Sequence, residues 1–141
     1  MNERRLFSRL AVTLSGHILY EGSEVPVVIN NFDVPIEISD ISEIGIGFQF
    51  KTTDLPEGVS FHVGTVLSIE FVDDEYDGED KLQKCTFEIV QLRERLHHTF
   101  IGGRLKSNDT LYPKYVQEKK KKRLEVDAAN LDAFLNDLID V

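Results

Sequence analysis

A single cysteine, Cys85, leaves this chain of 141 residues without a partner for an internal disulfide, which fits a reducing compartment. Cys85 itself reads as buried strand packing. No apolar run approaches the length needed to cross a bilayer, so membrane insertion is not expected. Positive charge is scarce as well: 16 Lys and Arg stand against 25 Asp and Glu, and the net charge of −9 repels polyanions and argues against a DNA or RNA partner. Also missing are a nucleophile paired with a base, a glycine-rich phosphate loop and a metal constellation, so neither catalysis nor a cofactor is expected.

Two segments invite a metal reading and fail it. Asp73, Glu75, Asp77 and Gly78 match positions 1, 3, 5 and 6 of a calcium loop, but position 12 falls on Lys84 where a bidentate carboxylate is needed. A solvated hairpin loop is the better reading of 73–80. His97 and His98 are adjacent and would face opposite sides of a strand, which is unsuited to one shared ion. The N-terminal Arg4-Arg5-Leu6-Phe7 has the look of an export signal, yet Arg9, Ser15 and His17 interrupt the apolar region and no small-x-small cleavage site follows. A cytoplasmic protein is expected.

What the chain does have is period-2 alternation. Apolar content of 41% supports one domain with a core. Val12, Leu14, Ile18 and Tyr20 share a parity, as do Val25, Val27 and Ile29, then Val34, Ile36 and Ile38, then Ile46, Phe48 and Phe50. Leu67, Ile69 and Phe71 follow, then Cys85, Phe87 and Ile89, and last Phe100 to Leu105. These are seven strand candidates. Val90 and Leu92 slip to the other parity, which a bulge explains.

The pattern breaks at Asp40-Ile-Ser-Glu-Ile-Gly45. Asp40 stands on the core parity of Val34, Ile36 and Ile38, where an unpaired carboxylate is costly. Either Asp40 and Ser42 cap a turn, with Gly45 and Gly47 supplying backbone freedom, or this is a ligand turn.

Beyond Ser107 the pattern turns helical, with Thr110 or a neighbour as cap and Pro113 in the first turn. Lys119 to Arg123 reads as a solvated, basic helix end. A second helix then starts near Asp127 as cap. Leu124, Ala128, Leu131, Leu135 and Leu138 recur at steps of 4, 3, 4 and 3, so this amphipathic face either packs on the strands or meets a partner. The domain plan is a basic arm over 1–9, a domain of alternating strands over 10–107 and a helical segment over 108–141.

Arg5 and Arg9, in an R-x-x-x-R spacing some thirty residues before D-x-S-x-x-G at Asp40, Ser42 and Gly45, resemble the two signatures of the PilZ domain, the bacterial receptor module for cyclic di-GMP. The likeness runs on through Gly58-Val59-Ser60 and Phe100-Ile101-Gly102-Gly103. It implies a mainly β fold, a six-stranded antiparallel barrel with C-terminal helices, leaving one strand candidate too many.

The resemblance also implies that Arg5, Arg9, Asp40, Ser42 and Gly45 contact the ligand. An arginine ahead of the pair, here Arg4, accompanies two stacked ligands per chain. The chemistry suits the ligand: guanidinium groups clamp phosphate or pair with guanine O6 and N7, and a carboxylate accepts from guanine N1 and N2. The acidic net charge does not forbid this, because charges beyond about 8 Å are screened at physiological salt. The expected protein is a monomer that relays the signal to a protein effector as the ligand orders residues 1–9. A ligand-free adaptor on the same barrel is the alternative.

Overall fold

The computed structural model describes residues 8–20, 32–76, 78, 81–106 and 111–139. Six strands form within them: β1 (Leu10–Tyr20), β2 (Phe32–Ser42), β3 (Gly45–Lys51), β4 (Val66–Val72), β5 (Leu82–Arg95) and β6 (His98–Leu105). They close into an antiparallel barrel in the order β1-β2-β3-β6-β5-β4, with the closing pair β1 and β4 joined over residues 16–19 and 68–71. The expected strand at Val25 to Ile29 lies outside the described residues. The last strand starts at His98, earlier than its apolar residues suggest, because a tight turn at Leu96 and His97 joins it directly to β5.

Alternation fills the barrel. Ile18, Val34, Ile38, Ile69, Phe87 and Ile101 point inward and are at most 3% exposed, while their strand neighbours face out. Cys85 is buried in this core. Among the described residues no helix is long and apolar enough to cross a membrane.

The C-terminal segment is one helix, α1 (Leu111–Ile139), rather than two. Asp127 sits in its interior and caps nothing. The reason is local: from Lys114 to Ile139 there is no proline or glycine, so the hydrogen-bond ladder has no cause to break. The basic run Lys119 to Arg123 is accordingly mid-helix rather than a C-terminal end.

Tyr112, Tyr115 and Val116 fasten α1 to the barrel and are buried almost completely. Tyr112 meets Phe87 edge-on at 5.3 Å between ring centroids, and Tyr115 lies 5.7 Å from Phe71. Buried aromatic pairs of this kind add to the area term.

A buried carboxylate completes the attachment. Asp73, 2% exposed, receives hydrogen bonds from the Tyr115 hydroxyl at 2.7 Å and Lys119 Nζ at 2.8 Å, and its second oxygen caps the Glu75 amide at 3.1 Å. The start of the acidic stretch is therefore not solvated. Burial pulls the Asp73 pKa up, but Lys119 and Tyr115 together lower it by more, leaving it below the ordinary carboxylate value.

A lowered folded pKa means that Asp73 contributes its full stability above the unfolded value, about 4, and loses it as pH falls through the folded one. Tyr115→Phe is expected to cost about 1.5 to 3 kcal/mol in urea unfolding, since a bond to a charged acceptor is lost. The stability gap between the native chain and Asp73→Asn should be widest near neutrality and close below pH ~4. A gap independent of pH would show that the carboxylate carries no charge-dependent stability.

Candidate functional site

The site grows from two irregularities in the barrel wall. Between β2 and β3 the pairing runs Ile38↔Phe48 and then Asp40↔Gly47, so Ser39 is an extra residue with no partner on β3. Such a bulge reverses the inside-outside alternation. Ile38 and Ile41 are both fully buried, whereas Asp40 faces outward and is only partly covered. The carboxylate thus does not end a core face, as the strand parity suggested. The Ser39 hydroxyl donates to the Gly47 carbonyl at 3.3 Å and ties the bulge to β3.

The second irregularity is the bulge expected at Val90. Ile89 pairs with Gly103 and Gln91 with Gly102, which leaves Val90 unpaired. Both bulges open onto one cavity of about 750 Å³, within the range of small-molecule sites. Arg9, Asp40, Ser42 and Gly45 line it on one side, with Gln91 and Arg104 from β5 and β6 on the other.

The two glycines of the turn are required by closeness rather than by backbone freedom, since neither has a positive φ. A Cβ at Gly45 would stand 2.8 Å from the Gly103 carbonyl oxygen of β6. One at Gly47 would strike the Asp40 carboxylate at 2.6 and 2.8 Å, so the Asp40 side chain lies across a strand face that only glycine leaves bare. Ser42 closes the turn, 6% exposed, opposite Gly45.

Arg9 approaches Asp40 at 3.9 Å with 70% of its side chain exposed. An exposed pair at this distance is worth little, so an incoming anion competes easily for the guanidinium. Arg4 and Arg5 lie outside the described residues. Arg104 and Gln91 have no counterpart among the residues expected from the sequence. Arg104 is held 3.3 Å from Glu88, which Lys106 also approaches at 3.3 Å, and these two cations hold the Glu88 carboxyl below its ordinary range. Among the described residues no cluster of three or more His, Cys, Asp or Glu could hold a metal ion.

The turn is also tied to α1. Tyr112 donates its hydroxyl to the Gly45 carbonyl at 2.7 Å, and Lys120 pairs with Glu43. Burial raises the Tyr112 pKa far above its usual value, so the phenol remains a donor at any physiological pH.

A scan of protein-family models finds no match for the sequence, and a search of curated proteins finds none. Solved structures do match the fold. YcgR from Escherichia coli in complex with c-di-GMP superposes with a TM-score of 0.62 at 13% identity, over 93% of this chain and 50% of that one. The isolated PilZ domain of YcgR with c-di-GMP matches at 0.59 and 12% identity, over 88% of this chain and 98% of that one. The Bacillus subtilis inhibitor of motility MotI/DgrA matches at 0.60 and 14% identity, over 86% and 52%. This chain therefore spans about half the length of YcgR and of MotI/DgrA and nearly all of the isolated domain. The fold is that of the PilZ barrel.

The two glycines separate by what they would hit. Gly45→Ala collides with main chain and is expected to cost about 1 to 3 kcal/mol in urea unfolding, as overpacking does. Gly47→Ala collides only with a movable side chain and should cost under about 1 kcal/mol while shifting the Asp40 carboxyl resonance. Equal costs would mean that Asp40 does not lie across Gly47.

Proposed function

We propose that the chain is a receptor, not an enzyme, and that its ligand is cyclic di-GMP bound at the mouth between the Ser39 and Val90 bulges. The observation that carries this reading is the convergence, in one cavity on a PilZ barrel, of Arg9 with Asp40, Ser42 and Gly45. The outward carboxylate of Asp40 accepts from guanine N1 and N2, and Ser42 helps fix the turn or bonds a phosphate. Arg9 takes a phosphate or a guanine edge, trading its weak contact with Asp40 for charge-assisted hydrogen bonds. Arg4 and Arg5, a few residues before Arg9, add cations from the same arm.

Two stacked ligands bring about four negative charges, which is the reason for expecting a third arginine to matter. Ordering of residues 1–9 around the phosphates then creates a surface that a protein effector reads only when ligand is bound. Residence in the cytoplasm belongs to the same reading.

Isothermal titration with cyclic di-GMP, beside GTP and cyclic GMP, tests it. Tight binding of cyclic di-GMP alone is expected, at two molecules per chain. Arg9→Ala should weaken it by about 2 to 5 kcal/mol with little change in melting, and Asp40→Ala should relax the preference for guanine over adenine. Absence of heat with cyclic di-GMP would favour the ligand-free adaptor. Unchanged affinity in both variants would remove the site.

A further inference from the structure

Past Lys120 the helix α1 runs out from the barrel, touching it through the Arg123 guanidinium, which donates to the Ala11 carbonyl at 3.3 Å, and every residue from Lys121 to Asn136 is exposed. At a rise of about 1.5 Å per residue this stretch runs roughly 24 Å. A helix of that length with no buried face is marginal in water. Yet it carries large apolar groups: Leu124 is 68% exposed, Leu131 56% and Leu135 44%. With Ala128 these recur at steps of 4, 3 and 4, the 3.5-residue spacing of a coiled-coil seam.

The barrel cannot cover that seam. At about 100° per residue, Leu124, Ala128, Leu131 and Leu135 centre roughly 140° around the helix from Tyr112, Tyr115, Val116 and Lys119, the stripe that meets the barrel. The seam faces almost directly away, and no described part of the chain reaches it.

Charge decides what does. Residues 119–123 are five consecutive cations, and the remainder of the chain carries five acids, Glu125, Asp127, Asp132, Asp137 and Asp140, with no base among them. Each helix is basic where the seam starts, and three of its acids, Asp132, Asp137 and Asp140, lie toward the other end. A parallel pair would set like charge on like along its whole length. An antiparallel pair sets the acidic end of each copy against the basic block of the other and opposes the two helix dipoles favourably.

We propose that this seam is a self-association surface on which two copies of the chain pair as an antiparallel coiled coil. Packing a positions against d positions places Leu124 opposite Leu135 of the second copy and Ala128 opposite its Leu131. The same register brings Lys121 to Arg123 against residues 136–138 of the second copy, where the sequence has Asp137. Glu125 and Asp132 meet across the middle and repel, so the pairing is reversible rather than permanent. This replaces the monomer expected from the sequence and is independent of any ligand.

Sedimentation equilibrium of the full chain is the direct test. A monomer–dimer equilibrium with a midpoint at about 10 to 100 μM is expected. Leu131→Asp should sediment as a single chain throughout, with barrel melting unchanged because the residue is already exposed. Orientation is read by disulfide trapping, since Cys85 is buried. A mixture of Leu124→Cys and Leu135→Cys chains should cross-link to each other, whereas Leu124→Cys alone should not, its two sulfurs lying roughly 16 Å apart along the axis. A single-chain mass for the native protein at every concentration would overturn the proposal, as would dimerisation that survives Leu131→Asp. Efficient linking of Leu124→Cys to itself would overturn the antiparallel arrangement and the charge argument behind it.

Discussion

The extra residue at Ser39 reverses the alternation of β2, and the mouth of the barrel takes its character from that reversal. Without it, Asp40 would project into a core of isoleucine and phenylalanine, where a lone carboxylate costs several kcal/mol. With it, Ile41 takes the inward place and Asp40 lies outside, across the bare backbone of Gly47. The bulge at Val90 does the corresponding work on the opposite wall, bringing Gln91 to the same cavity. Bulges bend strands and redirect side chains, which is why a pocket opens where two of them face one another.

The turn that closes this mouth is not isolated from the rest of the chain. Its Gly45 carbonyl accepts from Tyr112, and Glu43 pairs with Lys120. Both partners lie on the barrel-packed part of α1, within about two turns of Tyr115 and Lys119, which grip Asp73. The turn at the mouth and the helix attachment therefore share one rigid element. A displacement of the turn by even a fraction of an ångström has to be accommodated by a buried hydrogen bond or by the helix, because packed interiors deform in steps rather than continuously.

Much of the barrel is legible in the sequence because alternation and burial are the same physical fact read twice. The Val90 bulge shows as a slip of parity from Ile89 to Val90 and Leu92. The Ser39 bulge leaves a weaker trace, since Ser39 and Asp40 are polar and only Ile41 marks the shift. Other features depend on distance in the chain. Asp73 looks solvated until Tyr115 and Lys119, more than forty residues later, are folded onto it. Arg104 and Gln91 carry no motif, and only strand pairing brings them to Asp40 and Gly45. The single helix is less legible, because an aspartate such as Asp127 suits a helix cap in sequence, whereas within an unbroken helical run it is simply an exposed side chain.

The proposed receptor role turns on the outward carboxylate of Asp40, set by the bulge at Ser39, reading the ligand from a surface shared by β2, β3, β5 and β6. Amide and side-chain NMR of the chain titrated with cyclic di-GMP tests it most directly. Shifts are expected to concentrate at Arg9, Asp40, Ser42, Gly45, Gly47, Gln91 and Arg104, with intermolecular contacts from guanine protons to the Asp40 turn. Saturable binding whose shifts fall elsewhere on the barrel, leaving the Asp40 turn and the Val90 bulge unmoved, would contradict it.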